Sequence, residues 1–341
     1  MHCSTGPMIP LFVALLLGCA DRTSESSMSP SLLTDSSRLA VNGGSIWYRV
    51  TGTGSGTPVI LLHGGPGFAS HYLKPLEALG DDRLVIRYDQ LGSGKSDATT
   101  DTTLFTVAHF VDQLEQLRRH LQLQRFHLYG HSWGTMLAVE YYRAHPEAVA
   151  SLTLASAALD SRAWERHTRE LLATLPDSMV RAVEKREAER NYQAPDYQAA
   201  LNEFYGRYVW RQPVVADLDS LMNSFNTAIY EYMWGPSEFT VTGTLKEFDA
   251  KPLLPSITVP VLYTVGEHDE ANPATIQEFG RLTPGSRVVV IPAAAHITAW
   301  DNPTADVAAV RSFLRSRACS HPDARRYCPD CGAALVDPAT A

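Results

Sequence analysis

No basic stripe runs along this chain. Its 29 lysines and arginines are outnumbered by 37 aspartates and glutamates, and a formal net charge of -8 over 341 residues excludes a nucleic-acid polyanion as the main partner. Apolar runs able to cross a bilayer are missing as well: the apolar stretch at residues 9–17 falls short of the ~20 residues that a spanning helix needs. No internal repeat is present. A nucleotide-binding loop is also missing, although Asp89-Gln90-Leu91-Gly92-Ser93-Gly94-Lys95-Ser96 ends like one. That motif requires a glycine where Asp89 stands, so no phosphate cradle is expected. What is present is 45% apolar content, enough for one large α/β domain with an insertion or for two modest domains.

The two ends differ from the body. Residues 9–17 fit the apolar region of an export signal, and Leu16-Leu17-Gly18-Cys19 resembles a bacterial lipobox. Residues 1–19 are therefore expected to be a signal peptide ending at a lipidated Cys19, giving an exported, periplasmic or cell-envelope lipoprotein. Only His2 supplies basic character ahead of the run, and a true start at Met28 with a cytoplasmic product is the alternative. Membrane contact follows only if Cys19 is processed. Residues 20–38, rich in serine and threonine, read as a flexible linker. Residues 318–341 form a Cys-rich C-terminal tail. There Cys319, His321, Cys328 and Cys331 surround a Cys-Pro-Asp-Cys turn that resembles half of a zinc ribbon. Four N/S ligands would close a structural zinc site; a disulfide with one free thiol and a remnant without fixed structure are the other readings.

Between the ends, short apolar runs alternate with helical periodicity. Residues 41–50 read as an early strand beside the Gly43-Gly44 turn, 59–62 as a strand covered on both faces, and 83–88 as the next strand. Apolar residues at 107, 110, 111, 114, 117 and 121 predict a helix over 106–121. A strand at 126–129 leads into a helix through 144, and further strands are expected at 149–154, 259–265 and 287–291. Helices are expected near 275–282 and over 304–315. This alternation implies an α/β fold with a mostly parallel central sheet. Residues 160–250 break the rhythm: they are charged and helical over 162–190 and aromatic beyond. They read as an inserted helical cap between two core segments, 39–159 and 251–317.

Gly130-His131-Ser132-Trp133-Gly134 sits where a strand turns sharply into a helix. A side chain at either glycine would collide across such a bend, and Ser132 would stand clear of the sheet. The helix start offers unpaired N–H groups where an oxyanion would form. A serine hydroxyl needs a base to take its proton, and the base needs a carboxylate to hold its tautomer. Asp269 and His296 each follow a strand and supply those roles in the chain order Ser, Asp, His of the α/β-hydrolases. His268, on the acid's own loop, is the rival base, while His131 is expected to be structural. The oxyanion donors are the N–H groups of Trp133 and Gly65, with Gly64 as the alternative to Gly65, in the turn His63-Gly64-Gly65-Pro66-Gly67. His63 is expected to brace that turn. No cofactor is needed for this chemistry.

Four segments taken together, His63–Gly67, Tyr88–Ser96, Gly130–Thr135 and Gly235-Pro236-Ser237-Glu238-Phe239, resemble the proline iminopeptidase family of serine aminopeptidases. The resemblance covers residues 39–315 in order. It implies an α/β-hydrolase core with a helical cap. The implied reaction releases an N-terminal residue, proline or another small or apolar one, from short peptides or amino-acid amides with a free N-terminus. It further implies that Glu238 and Glu270 bind the substrate's α-ammonium. Two carboxylates in one pocket repel each other, and an ammonium relieves that repulsion. An esterase or lactonase with the same triad is the alternative, told apart by whether a free amine is required.

Overall fold

The computed structural model describes residues 36–212 and 225–318. The signal peptide, Cys19 and most of the linker lie outside these residues, as do the tail positions Cys319, His321, Cys328 and Cys331. Eight strands form one sheet: β1 (Ser36–Val41), β2 (Gly44–Thr51), β3 (Gly56–Leu62), β4 (Arg83–Tyr88), β5 (Phe126–His131), β6 (Val149–Ala155), β7 (Val261–Gly266) and β8 (Arg287–Ile291). Their spatial order is β1-β2-β4-β3-β5-β6-β7-β8. The first two pairings, β1 with β2 and β2 with β4, are antiparallel, and every later one is parallel. β5 and β7 are buried along their whole length, as expected of central strands covered by helices on both faces.

One face is covered by α1 (Val107–His120), α2 (Trp133–Ala144) and, further along the chain, the helix Pro273–Leu282, whose Phe110, Leu137 and Phe279 share one core with Ile60 and Leu128. The other face is covered by the 3₁₀ segment Ser70–Asp81 and the closing helix Pro303–Ala318, which bring Leu73, Leu76, Val310 and Phe313 against Leu61 and Tyr129. α1 begins where Thr106 accepts the N–H of His109, the side-chain cap that an otherwise orphaned donor requires. Among the described residues, no helix is long and apolar enough to cross a membrane.

The insertion opens with α3 (Ser161–Leu172), α4 (Asp177–Ala188) and α5 (Pro195–Tyr208), followed by α6 (Thr227–Met233). Its two ends are pinned together. Asp160 bridges Asp249, and the N–H of Ala250 donates to Leu159 O at 2.8 Å. Among the described residues, the remaining α-helices in chain order are α7 (Pro273–Leu282), α8 (Thr298–Asp301) and α9 (Pro303–Ala318).

Three sequence expectations are corrected here. The early strand is a hairpin, with β1 and β2 folding back on each other through a turn where Gly43 has φ +89°, a region that favours glycine. Ser36, Ser37 and Arg38, expected to belong to the linker, are part of β1 and pair with Arg49, Tyr48 and Trp47. The single helix expected over 162–190 is two, because Pro176 has no N–H to donate and its ring clashes with a preceding helical turn.

Candidate active site

The turn between β5 and α2 leaves no room for a side chain beside the serine. A Cβ added at Gly130 would lie 2.2 Å from Gly134 O, and one added at Gly134 would lie 2.5 Å from Leu62 O. Ser132 itself takes φ 54° and ψ −123°, a strained backbone for a residue with a side chain. It stands directly before Trp133, the first residue of α2, whose opening N–H groups have no intrahelical acceptor. Gly65, Ser132 and Trp133 line one small space together, as a serine with two oxyanion donors should. Gly64, the alternative donor, is already engaged: its N–H donates to the Tyr72 hydroxyl at 2.6 Å.

Asp269 and His296 come from different loops and meet. The Nδ1–H of His296 faces Asp269 Oδ1 at 2.9 Å. The same carboxylate accepts from Ser156 Oγ at 2.5 Å, from Gly266 N–H at 3.1 Å and from Ala271 N–H at 2.8 Å. Burial alone would raise its pKa; the facing imidazole and these donors outweigh burial and hold it below the usual carboxylate range. His296 and Ser132 line the same cavity of about 510 Å³. The rival base His268 is partly exposed and lies 3.9 Å from Glu267 instead.

A relay of hydrogen bonds braces the oxyanion turn and the base loop. Tyr72, having accepted from Gly64, sits 2.8 Å from His131 Nδ1, and His131 Nε2 donates to the carbonyl of His296 at 2.8 Å. Burial, with His296 adding to it, drops the pKa of His131 to about 3, so it bridges as a neutral ring. On the other side of the turn, His63 bonds the carbonyl of Gly64 and accepts from Gln90 N–H, while Gln90 accepts the indole N–H of Trp133 at 2.9 Å. Asp89, standing where a phosphate loop would have glycine, organises its own loop by accepting from Ser70 and from the N–H of Lys95.

The cap closes over this rim. Tyr205, Trp210, Phe225 and Tyr230 line the 510 Å³ cavity, whereas Tyr197, Phe204 and Phe239 pack on one another away from it. Glu238 faces the cavity and accepts from the Tyr230 hydroxyl at 2.6 Å; burial raises its pKa. Glu270 is fully buried, and neither of its carboxylate oxygens has a hydrogen-bond partner among the described residues. Its Oε1 lies 3.9 Å from Nε2 of His296. Burial first, then Glu238 and Asp269, push its pKa well above the usual range. The carbonyl of Tyr208 accepts both the N–H of Glu270 and that of His296, tying cap to acid and base loops at once.

Sequence reasoning missed Ser156, Tyr72, Gln90 and Tyr230. Ser156, Tyr72 and Gln90 act through side-chain hydrogen bonds to residues distant in the chain, and Tyr230 through one to Glu238 eight residues on, none of which leaves a local pattern. Ser156 alone carries a mark, a positive φ of 48° directly after β6, and that is visible only in the folded chain.

Comparison with known proteins agrees with this geometry. Residues 57–303 match the family model described as the alpha/beta hydrolase fold. The chain is 40% identical over 281 residues to the proline iminopeptidase of Heyndrickxia coagulans, covering 82% of this chain and 98% of that one. It is similar to the crystal structure of VinJ, with TM-score 0.79 and 32% identity over 83% of this chain and 98% of that one. It is also similar to the crystal structure of the Mycobacterium smegmatis proline iminopeptidase, with TM-score 0.75 and 35% identity over the same shares of the two chains.

Proposed function

This chain belongs to the proline iminopeptidase family of α/β-hydrolases, and from that premise we propose that it is a serine aminopeptidase. It releases an N-terminal proline, or another small or apolar residue, from short peptides and amides with a free N-terminus. The observation that carries this reading is the pairing of His296 with Asp269 on the wall of the Ser132 cavity, with Glu238 and Glu270 beside it.

The chemistry follows from that arrangement. Asp269 fixes Nδ1 as the protonated nitrogen, which leaves Nε2 free to take the proton of Ser132 as its oxygen attacks the first carbonyl. The N–H groups of Gly65 and Trp133 stabilise the oxyanion, a contribution of about 10²–10³ in rate for a single donor. The leaving amine takes the proton from His296, and water, deprotonated by the same imidazole, hydrolyses the acyl-enzyme. The ammonium of the substrate sits against Glu238 and Glu270. An N-acylated substrate leaves that pocket unpaired, and breaking a buried pair costs about 3–5 kcal/mol, or two to three decades of discrimination.

The test compares proline, alanine and leucine p-nitroanilides with N-acetylproline p-nitroanilide and a simple p-nitrophenyl ester. Free-amine anilides should be preferred by at least two decades over the N-acetyl compound, with all turnover lost in Ser132→Ala. Preference for the ester, with indifference to acetylation, would establish the esterase or lactonase reading instead.

The ends of the chain carry two further proposals. The lipobox-like Leu16-Leu17-Gly18-Cys19 supports export and lipidation at Cys19; a mature N-terminus of unmodified Met28 would overturn it. A structural zinc on Cys319, His321, Cys328 and Cys331 predicts about one metal per full-length chain, lost when Cys328 and Cys331 are replaced by serine.

A further inference from the structure

Every main-chain N–H next to the catalytic imidazole has an acceptor. Ala295 N–H donates to Asp301 Oδ2 at 2.7 Å, His296 N–H to the carbonyl of Tyr208 at 3.1 Å, and Ile297 N–H to the carbonyl of Val209 at 2.9 Å. The last two acceptors are main-chain groups of the cap, at the end of α5. The first is a side chain, and its other oxygen reaches the same part of the cap: Asp301 Oδ1 accepts from Arg211 N–H at 2.8 Å and from Gln212 N–H at 3.1 Å. One buried carboxylate therefore stands between the base loop and the cap and is met by donors from both.

Local structure brings Asp301 to this point. α8 is a single turn that begins two residues after His296, and the N–H of Asp301 donates back to Ile297 O at 3.1 Å, so its side chain returns to the loop that precedes the helix. Only a carboxylate suits the position. Both of its oxygens accept, whereas the amide of asparagine offers an acceptor at one end and a donor at the other. With two N–H groups on the cap side and one on the loop side, an asparagine oxygen would stay with the cap, and its NH₂ would turn against the N–H of Ala295. What depends on this is His296. Asp269 fixes the ring at Nδ1, but the main chain that carries the ring sets its distance from Ser132. The carbonyl of His296 is held by His131 Nε2 at 2.8 Å and by Ser156 Oγ at 3.0 Å; on the opposite side Asp301 holds the residue directly before it.

Resting on the reading of His296 as the base of a serine aminopeptidase, we propose that Asp301 is a positioning residue for the reaction. By binding Ala295 with one oxygen and Arg211 and Gln212 with the other, it locks the base loop against the cap and keeps the imidazole within reach of Ser132. Asp301 does not line the cavity that holds Ser132, so it acts on the reaction through the base loop alone. Losing its grip on Ala295 lets the loop shift, and a displacement of about 1 Å costs about 10² in rate. The substrate's amine pocket is anchored separately: Glu238 by the Tyr230 hydroxyl, and Glu270 by its N–H to the carbonyl of Tyr208. The effect therefore falls on kcat and leaves KM nearly unchanged.

Asp301→Asn in the full-length enzyme tests the assignment. With prolyl p-nitroanilide, kcat should fall about 10- to 100-fold while KM stays within about twofold. Labelling of Ser132 by phenylmethanesulfonyl fluoride needs the base but no ammonium, and it should slow by a similar factor. The downfield proton resonance of the Nδ1–H shared by His296 and Asp269 should shift or broaden. Asp301→Glu keeps both acceptors one methylene further out; it should lower kcat and labelling together by a smaller factor, and it decides alone if Asp301→Asn does not fold. Unchanged kcat and labelling, or a loss confined to KM with labelling as in wild type, overturns the proposal. Turnover of prolyl p-nitroanilide that survives Ser132→Ala would instead overturn the aminopeptidase reading, and the labelling rates would still report on Asp301.

Discussion

Asp269 and Glu270 are adjacent in the chain, equally hidden from solvent, and opposite in behaviour. Asp269 receives hydrogen bonds from Ser156, Gly266, Ala271 and His296, and its carboxyl is held below the ordinary range. Glu270 receives none among the described residues, and its carboxyl is pushed well above that range. Burial is the same for both, so it cannot be what separates them. What separates them is whether the oxygens are met by donors. The oxygens of one carboxylate are met by the protein's own donors; those of the other are, in our proposal, met by the ammonium of the substrate.

Removing the charge from Asp269 should have the largest effect. Asp269→Asn keeps the shape of the loop but lets His296 adopt the wrong tautomer, and kcat should fall about 10⁴-fold with KM little changed. Steady-state kinetics on prolyl p-nitroanilide would read this directly, and a fall under tenfold would remove Asp269 from its role.

Glu270→Gln sharpens the contrast from the other side. It should lower kcat/KM for free-amine substrates by about 10²–10³ while leaving the poor N-acetyl substrate nearly unchanged. Its effect on stability has a definite sign. Glu270 has a raised folded-state pKa, so its contribution is fully present below the unfolded value of about 4.3 and is lost as pH rises through the folded one. Thermal midpoints should therefore show Glu270→Gln gaining on wild type as pH increases from 4 to 8. Asp269 works in the other direction, stabilising above its unfolded pKa and losing that contribution as pH falls through its depressed folded value. Parallel midpoint curves for wild type and Glu270→Gln would erase the contrast.

The smallest change tests a single donor. Ser156→Ala removes the 2.5 Å hydrogen bond to Asp269 Oδ2 and leaves the other three. A bond to a charged group is worth about 1.5–3 kcal/mol, and only part of that bears on the orientation of His296, so kcat should drop about tenfold.

Much of this architecture was legible beforehand because it is written in local patterns. The run at 287–291 is the strand β8 residue for residue, and the glycines around Ser132 are demanded by backbone atoms at 2.2 and 2.5 Å. Asp269 and His296 could be picked out because chain order and strand ends constrain them. β1 was hidden because Ser36-Ser37-Arg38 looks like linker, and only its partner β2 makes it a strand. The break between α3 and α4 was readable in principle from Pro176, inside a stretch read only as charged and helical over 162–190. Ser156 and Tyr72 depend on groups separated by dozens of residues or more, and no window along the sequence contains them.

The carbonyl of Tyr208, shared between the N–H groups of His296 and Glu270, makes the cap something other than a detachable cover. Lifting this part of the insertion off the core would pull at His296 and at Glu270 in the same movement. Breathing that pivots elsewhere would admit a peptide while leaving this knot tied and the base in place.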